Sequence, residues 1–392
     1  MSGIYIHIPF CKQACHYCDF HFSTNLKKKE AMIQALVKEI ELRKGEFDHE
    51  IIETVYFGGG TPSILQIREL QEILNAIYSH YTVAKDAEIT LEANPDDLVA
   101  DSRSLSGAEG NGIIGTKLKH YKEIGINRLS IGIQSFFEED LRLINRAHSS
   151  EQAKDCLSRA TAYFDNLSVD LIYGIPGLSH KRWRENIAKA LSYGIPHISS
   201  YALTVEPKTA LAYMIKTGKM ADVDDNQAQE QFHILLEALE EKGFVNYEIS
   251  NFGKPGRFSR NNTAYWRQKK YIGIGPSAHS YDGRRRSWNV NNNSTYIKAL
   301  ERRELPMETE TLSTTDRYNE YIMTGLRTMW GVSLTKVRTE YGTNYGTYLE
   351  EHAQGHIKEK LLYLDGDRLL TTRKGKFFAD GIAAHLFMLN LE

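Results

Sequence analysis

Cysteine, proline, net charge and long apolar runs are all scarce in this chain. Four cysteines in 392 residues cannot build a disulfide framework. No stretch approaches the roughly 20 consecutive apolar residues of a bilayer span, and the N-terminus lacks a basic segment followed by an apolar core. A cytoplasmic protein without an integral membrane segment is therefore expected. The 48 basic and 50 acidic side chains leave a net charge of −2, too little for the whole surface to attract nucleic acid or an anionic membrane. Nine prolines, 41% hydrophobic and 25% charged residues exclude a disordered, collagenous or coiled-coil chain and leave room for about two domains.

The little cysteine present is concentrated. Cys11, Cys15 and Cys18 lie within eight residues, and Cys156 stands alone. Two of the three could close one bridge, but three converging thiols point to a soft metal or cluster in a reducing compartment. Around them the chain repeats a short β-branched run, a loop marked by Gly, Pro or Asn, and a helical stretch. Strands are expected at Gly3–Ile8, Thr54–Phe57, Glu88–Leu91, Arg128–Ile133, Leu167–Ile172 and His197–Leu203. Helices are expected at Lys27–Arg43, Ile64–Tyr78, Thr116–Ile124, Glu151–Tyr163 and Lys181–Leu191, where apolar residues recur at three and four. Such alternation implies a parallel α/β sheet closing partly or fully into a barrel, with function at the C-terminal strand ends. The segment Asp101–Gly115, with its glycines and serines, reads as a surface insertion.

After Leu203 the rhythm changes. A long helix, Asn226–Lys242, precedes a loop-rich section from Tyr247 to Asn293. Helices are then expected at Thr295–Glu301, Ser313–Met329, Leu334–Tyr341 and Arg373–Phe387. A hairpin, Leu362–Leu364 with Arg368–Leu370, turns on Asp365-Gly366-Asp367. Helices plus one hairpin predict a small winged-helix-like module.

The thiols are spaced C-x3-C-x2-C directly after the first strand, so their loop stands at the barrel mouth. Closed structural zinc requires four protein ligands, and only His7, His16 or His21 could supply the fourth, which keeps zinc open as an alternative. A [4Fe-4S] cluster on three thiolates leaves one iron free for a small molecule. Gly58–Gly60, at the second strand end, let backbone approach a ligand, although an isolated triplet would read as a tight turn. Glu92, Gln134 and Asp170 fall at three other strand ends, where carboxylates suit ribose hydroxyls. Any one of them alone would as readily cap a helix.

These features resemble the radical S-adenosylmethionine superfamily, whose signature is this cysteine loop. More closely, the run Tyr5-Ile6-His7-Ile8-Pro9-Phe10-Cys11 and the run Gly58-Gly59-Gly60-Thr61-Pro62 resemble the family of the oxygen-independent coproporphyrinogen III dehydrogenase, which has a heme-chaperone branch. The motifs Leu91-Glu92-Ala93-Asn94-Pro95-Asp96, Arg128–Phe136 and Asp170–Pro176 follow in the family's order. The resemblance implies a partial (β/α)6 TIM-like barrel over residues 1–225, a flanking segment at 226–300 and a mostly helical C-terminal domain at 301–392. It implies that Cys11, Cys15 and Cys18 hold a [4Fe-4S] cluster. S-adenosylmethionine contacts would fall on Tyr5, Tyr17, Gly59, Gly60, Thr61, Glu92, Gln134, Arg146, Asp170 and Ala202. His279, in the loop Gly273–Ser280, is added as a cofactor contact, although a solitary histidine is more often structural. Arg284–Arg286 with Trp288 could pair porphyrin propionates, against the simpler reading of a solvated charged loop.

Two features divide the family's branches. The dehydrogenase has a further cysteine two residues after the third, where this chain has Phe20, and an N-terminal arm where this chain has four residues before Tyr5. Both favour the chaperone branch, implying heme as a further ligand, a heme-acceptor protein as partner and an electron donor to the cluster. That branch carries His-Asn-x-x-Tyr-Trp; here the run begins with Asn261, whose amide cannot give iron a basic nitrogen. Tyr265 and Trp266 could hold the porphyrin, or pack beneath the loop. The dehydrogenase, decarboxylating propionates to vinyls with a radical formed from S-adenosylmethionine, remains the alternative.

Overall fold

The computed structural model describes residues 2–47, 50–99 and 112–389. All six expected strands form: β1 Ser2–Ile8, β2 Ile52–Gly59, β3 Val83–Ala93, β4 Arg128–Gln134, β5 Leu167–Tyr173 and β6 His197–Ala202. They pair in chain order, each parallel to the next. Strict alternation explains why these runs curl rather than stack flat. Ile4, Ile6, Ile8, Val55, Phe57, Ile89, Leu91, Leu129, Ile131, Ile133, Val169 and Leu171 bury one face in the main core. The other parity, Tyr56, Glu92, Ser130, Asp170, Ser199 and Tyr201, is polar and faces a cleft. A sheet apolar on both faces would be a sandwiched layer; a polar inner face makes a lumen.

The barrel stays open because the region expected to be loop-rich supplies edge strands instead. These are β7 Val245–Glu248, β8 Asn251–Gly253, β9 Lys270–Ile274, β10 His279–Tyr281 and β11 Arg285–Asn289, joined by β12 Met307–Thr311. β8 pairs antiparallel with β6, and β9 pairs parallel with β1. The twelve-stranded order is β12-β11-β10-β9-β1-β2-β3-β4-β5-β6-β8-β7. Periodicity missed β11 because its buried positions are Ser287 and Asn289, so the alternation of exposure carries no alternation of hydropathy.

Of the expected insertion, residues 101–111 lie outside the described residues, while residues 112–115 open the helix Gly112–Glu123, four residues ahead of the expected start. The C-terminal module has its own core, including Tyr318, Ile322, Leu326, Leu349, Leu362 and Leu386. Its hairpin, β14 Leu362–Asp365 and β15 Arg368–Thr371, turns at Gly366 with φ 56° and is joined by β13 Val332–Ser333. The helix Thr343–Lys358 was not expected. Leu334–Tyr341 proves to be one α turn running into a π-helical turn, and Arg373–Phe387 contracts to a 3-10 turn and the helix Ala379–His385. Lys376 reaches back to Asn246 Oδ1 at 2.6 Å, tying the module to the sheet edge.

Candidate cofactor cleft

The cysteine loop leaves β1 and is pinned at several points. Gly60 N donates to Ile8 O at 2.9 Å, Cys11 N to Ser23 O at 3.1 Å and His16 N to Ile144 O at 3.1 Å. Lys12 bridges Asp96 at 3.0 Å and also pairs with Asp97, both just beyond β3. The glycines of β2 are required by this packing. Gly59 has φ 111°, and a Cβ on it would lie 2.6 Å from the His7 ring; one on Gly60 would lie 2.6 Å from Phe10 O and 3.0 Å from Cys11 Sγ.

A cleft of about 1020 Å³ opens above the strand ends. Cys11, Cys15, Cys18, Tyr17, Gly59, Gly60, Thr61, Glu92, Gln134, Arg146, Asp170 and Ala202 all line it. Tyr5 and His279 do not. Tyr5 leans on Tyr56 with ring centroids 6.1 Å apart, and both Tyr5 and His279 line a neighbouring cavity of about 670 Å³ that shares Gly59 and Glu92 with the cleft. Tyr5 stands between the two: its register partners are Tyr56 of β2, which lines the cleft, and Gly273 of β9, where the His279 loop begins. Cys156 is buried in the helix Ser150–Tyr163, away from both.

The electrostatics of the cleft are those of a site awaiting polar partners. Burial raises Glu92 to about 7 although Tyr56 donates to it at 2.7 Å, and raises Asp170 to about 6 although Ser130 donates at 3.1 Å. Arg146 donates to Cys15 Sγ at 3.4 Å, Asn94 Oδ1 at 2.7 Å and Gly132 O at 3.0 Å, yet its buried Nε has no hydrogen-bond partner among the described residues. Gln134 holds φ 63°, a left-handed backbone for a non-glycine residue, beside a register shift between β4 and β5. Sequence reasoning passed over Tyr56, Asn94 and Arg128, which also line the cleft. Tyr56 and Arg128 could have been found from the strand parity of Glu92 and Asp170.

The residues fit an iron-sulfur cube better than one zinc ion. Thr61 Oγ1 donates to Cys11 Sγ at 3.3 Å, and with Arg146 on Cys15 this places donors where thiolate charge would sit. Burial, with the neighbouring Cys18 and Cys15, pushes the Cys11 thiol up to about 11 despite the Thr61 hydrogen bond and Arg146, so a positively charged centre must supply the ionisation. The histidines that zinc would recruit are engaged elsewhere. His7 donates to His21 O at 2.9 Å, His16 to Leu143 O at 2.9 Å, and His21 Nε2 meets Asn293 Oδ1 at 2.6 Å. Among the described residues no three His, Cys, Asp or Glu side chains converge on a single-ion site. A cube binds each thiolate at a different iron and needs no such convergence.

The expected porphyrin contacts fare differently. Arg285 and Arg286 stand on β11 rather than in a loop: Arg285 pairs with Asp282 at 2.7 Å, and Arg286, paired with Glu310 at 2.8 Å and Glu320 at 2.6 Å, lines the neighbouring cavity. Asn261 is buried at the barrel floor, accepting from Thr54 Oγ1 at 3.2 Å and donating its backbone N–H to Glu88 at 3.1 Å. Trp266 packs under the Arg327 guanidinium at 5.1 Å, whereas Tyr265 lines the neighbouring cavity.

An open six-stranded parallel barrel with three thiols at the end of its first strand is the architecture of radical S-adenosylmethionine proteins. The Radical SAM superfamily model matches residues 5–190, and the HemN C-terminal domain model matches residues 312–378. Within that class, the chain belongs to the family of the heme chaperone HemW. It is 32% identical over 386 residues to "Heme chaperone HemW" of Bacillus subtilis, covering 97% of this chain and 98% of the relative. The protein of the same name from Mycobacterium tuberculosis is 33% identical over 390 residues, covering 98% and 94%. Among solved structures, Escherichia coli coproporphyrinogen III oxidase (HemN) superposes with a TM-score of 0.82 at 20% identity, over 99% of this chain and 90% of that one, which speaks for the fold.

Proposed function

We propose that this chain holds a [4Fe-4S] cluster and S-adenosylmethionine in the barrel cleft, binds heme, and passes heme to an acceptor protein in the cytoplasm. The observation that carries the reading is the convergence of twelve expected residues on one cleft, in a chain that matches HemW proteins along nearly its whole length. Among the described residues no helix is long and apolar enough to cross a membrane.

Cys11, Cys15 and Cys18 would be the cluster ligands, leaving one iron to the cofactor; when bound, the cluster supplies an electron and that open coordination position. The chain's own residues arrange the rest. Arg146 and Thr61 offset thiolate charge, and the unpartnered Arg146 Nε waits for an acceptor. Glu92 and Asp170 accept hydroxyl or ammonium donors, which would return both carboxyls to the ionised form. The glycine strand end brings β2 backbone against the loop without a side chain between them.

Anaerobic reconstitution followed by iron, sulfide and heme analysis, then mixing with an apo-hemoprotein, tests the reading. Cluster and heme uptake with net heme transfer supports it. Vinyl product from coproporphyrinogen III, S-adenosylmethionine and a reductant overturns the chaperone reading in favour of the dehydrogenase. Bound zinc without iron or sulfide overturns both.

A further inference from the structure

The cavity of about 670 Å³ beside the cleft is walled on one side by three tyrosines. Tyr265 meets Tyr271 edge-on at 4.5 Å, and Tyr271 leans toward Tyr281 at 6.4 Å. Met323 of the helix Thr314–Leu326 and the exposed Phe20 of the cysteine loop line it as well. A planar, mostly apolar ligand would bury against such a surface. Two further imidazoles reach the cavity beside the buried His7. That of His21 is occupied by Asn293, whereas the His279 ring, 6.2 Å from that of Trp288, has no side-chain hydrogen bond among the described residues.

The loop that presents His279 is held as a preformed site is held. Glu39, fully buried on the helix Lys29–Leu42, accepts from Gly275 N at 2.8 Å, Asn289 Nδ2 at 2.8 Å and Tyr296 OH at 2.5 Å. Arg43, its ion-pair partner at 3.1 Å, donates onward to Gly273 O at 2.8 Å and Ser280 Oγ at 3.0 Å. Within this frame Gly275 and Ser277 take φ 109° and 64°. A loop over-determined in this way orients a ligand residue rather than letting it sample.

Resting on the heme reading above, we propose that His279 is the protein's ligand to heme iron, with the porphyrin plane lying against the Tyr265–Tyr271–Tyr281 wall. An imidazole nitrogen is a strong axial donor to heme iron. Arg286, already held by Glu310 and Glu320, is given no part. Because the cavity shares Gly59 and Glu92 with the cleft, heme bound here would lie next to the S-adenosylmethionine site.

The test is a ferric heme titration of the full chain, cluster-loaded under argon, followed by Soret absorption and magnetic circular dichroism. His279→Gly should weaken binding about tenfold or more and alter the spectrum, and added imidazole should restore the wild-type spectrum by filling the vacated place. His21→Ala should stay within about twofold of wild type. The proposal is overturned if His279→Gly keeps the wild-type spectrum and affinity, if imidazole restores nothing, or if His21→Ala takes the loss. A wild-type chain without saturable heme uptake overturns the heme reading itself, an outcome distinct from all three.

Discussion

The cluster cleft and the aromatic cavity meet at Gly59 and Glu92, yet they are built by opposite means. The cleft stands on the ends of consecutive parallel strands, so its polar residues recur at fixed parity and in motifs. The cavity is closed by pieces from far along the chain: Tyr5 of β1, the loop before β10 and the helix Thr314–Leu326. The cleft's polar inner face belongs to the half-barrel, with later residues such as Ser250, Arg327 and Asp380 only completing its rim. The cavity exists only because edge strands and a C-terminal module are laid against the half-barrel, which is how a shared scaffold can acquire a second ligand.

The sharpest way to break this contrast is to empty the cleft while leaving the cavity intact. Replacing Cys11, Cys15 and Cys18 together by alanine should abolish iron and sulfide uptake, since no other described side chain offers a soft donor there. Heme affinity should stay within about threefold, because the two cavities share lining but no proposed iron ligand. Iron uptake that survives the triple change sinks the cluster assignment. Heme binding that vanishes with it shows one coupled site rather than two.

The reverse experiment weakens the cavity's frame. Glu39→Ala removes a buried carboxylate that four donors share and leaves Arg43 without its buried counter-charge. A loss of about 3–5 kcal/mol in denaturant unfolding is expected, together with weaker heme binding. Glu39→Gln, which keeps the shape and one accepting oxygen but turns an NH2 donor toward two of the four donors, should lose less than Glu39→Ala. Equal losses would mean that the charge itself, rather than the tethering of the loop, is what matters.

At the seam, Gly59→Ala tests whether both cavities depend on one backbone conformation. Its φ of 111° and the His7 ring 2.6 Å from the added methyl predict about 2–3 kcal/mol of destabilisation, with both iron and heme loading lowered. A change felt by only one of the two ligands would show that the seam belongs to that cavity alone.

How far each region could be read from sequence follows the same division. The six parallel strands were visible because every one alternates Ile, Val or Leu with polar residues, and the cleft was visible because its motifs sit at those strand ends. β10 and β11 were not, since three to five residues with serine and asparagine on the buried side carry no hydropathy signal. The helix Thr343–Lys358 escaped for a related reason. Its buried stripe is Gly346, Leu349 and Ala353, and Gly346 is small because Arg338 crosses it at a distance that excludes a methyl. Tyr5 and His279 were assigned to the cofactor cleft because a motif reports position along a strand, whereas which of two adjoining cavities a ring enters depends on edge pairing far away in sequence.

The smallest expected effect separates the cleft's electrostatics from its shape. Burial raises Glu92 from the ordinary 4.5 to about 7, so the folded protein binds a proton there that the unfolded chain releases. At this group the native state holds more protons than the unfolded state over that window, so its contribution to stability falls as pH rises from about 4.5 to about 7. The unfolding midpoint of cofactor-free wild type should therefore fall relative to that of Glu92→Gln, uncharged at every pH, as pH rises across this range, since Asp170, His7 and His148 contribute to both. S-adenosylmethionine should shrink this difference between the two profiles, because hydroxyl or ammonium donors stabilise the carboxylate and make binding to wild type tighten as Glu92 ionises. A Glu92→Gln profile that parallels wild type, with and without the cofactor, would remove Glu92 from the ligand contacts and leave it a wall residue between the two cavities.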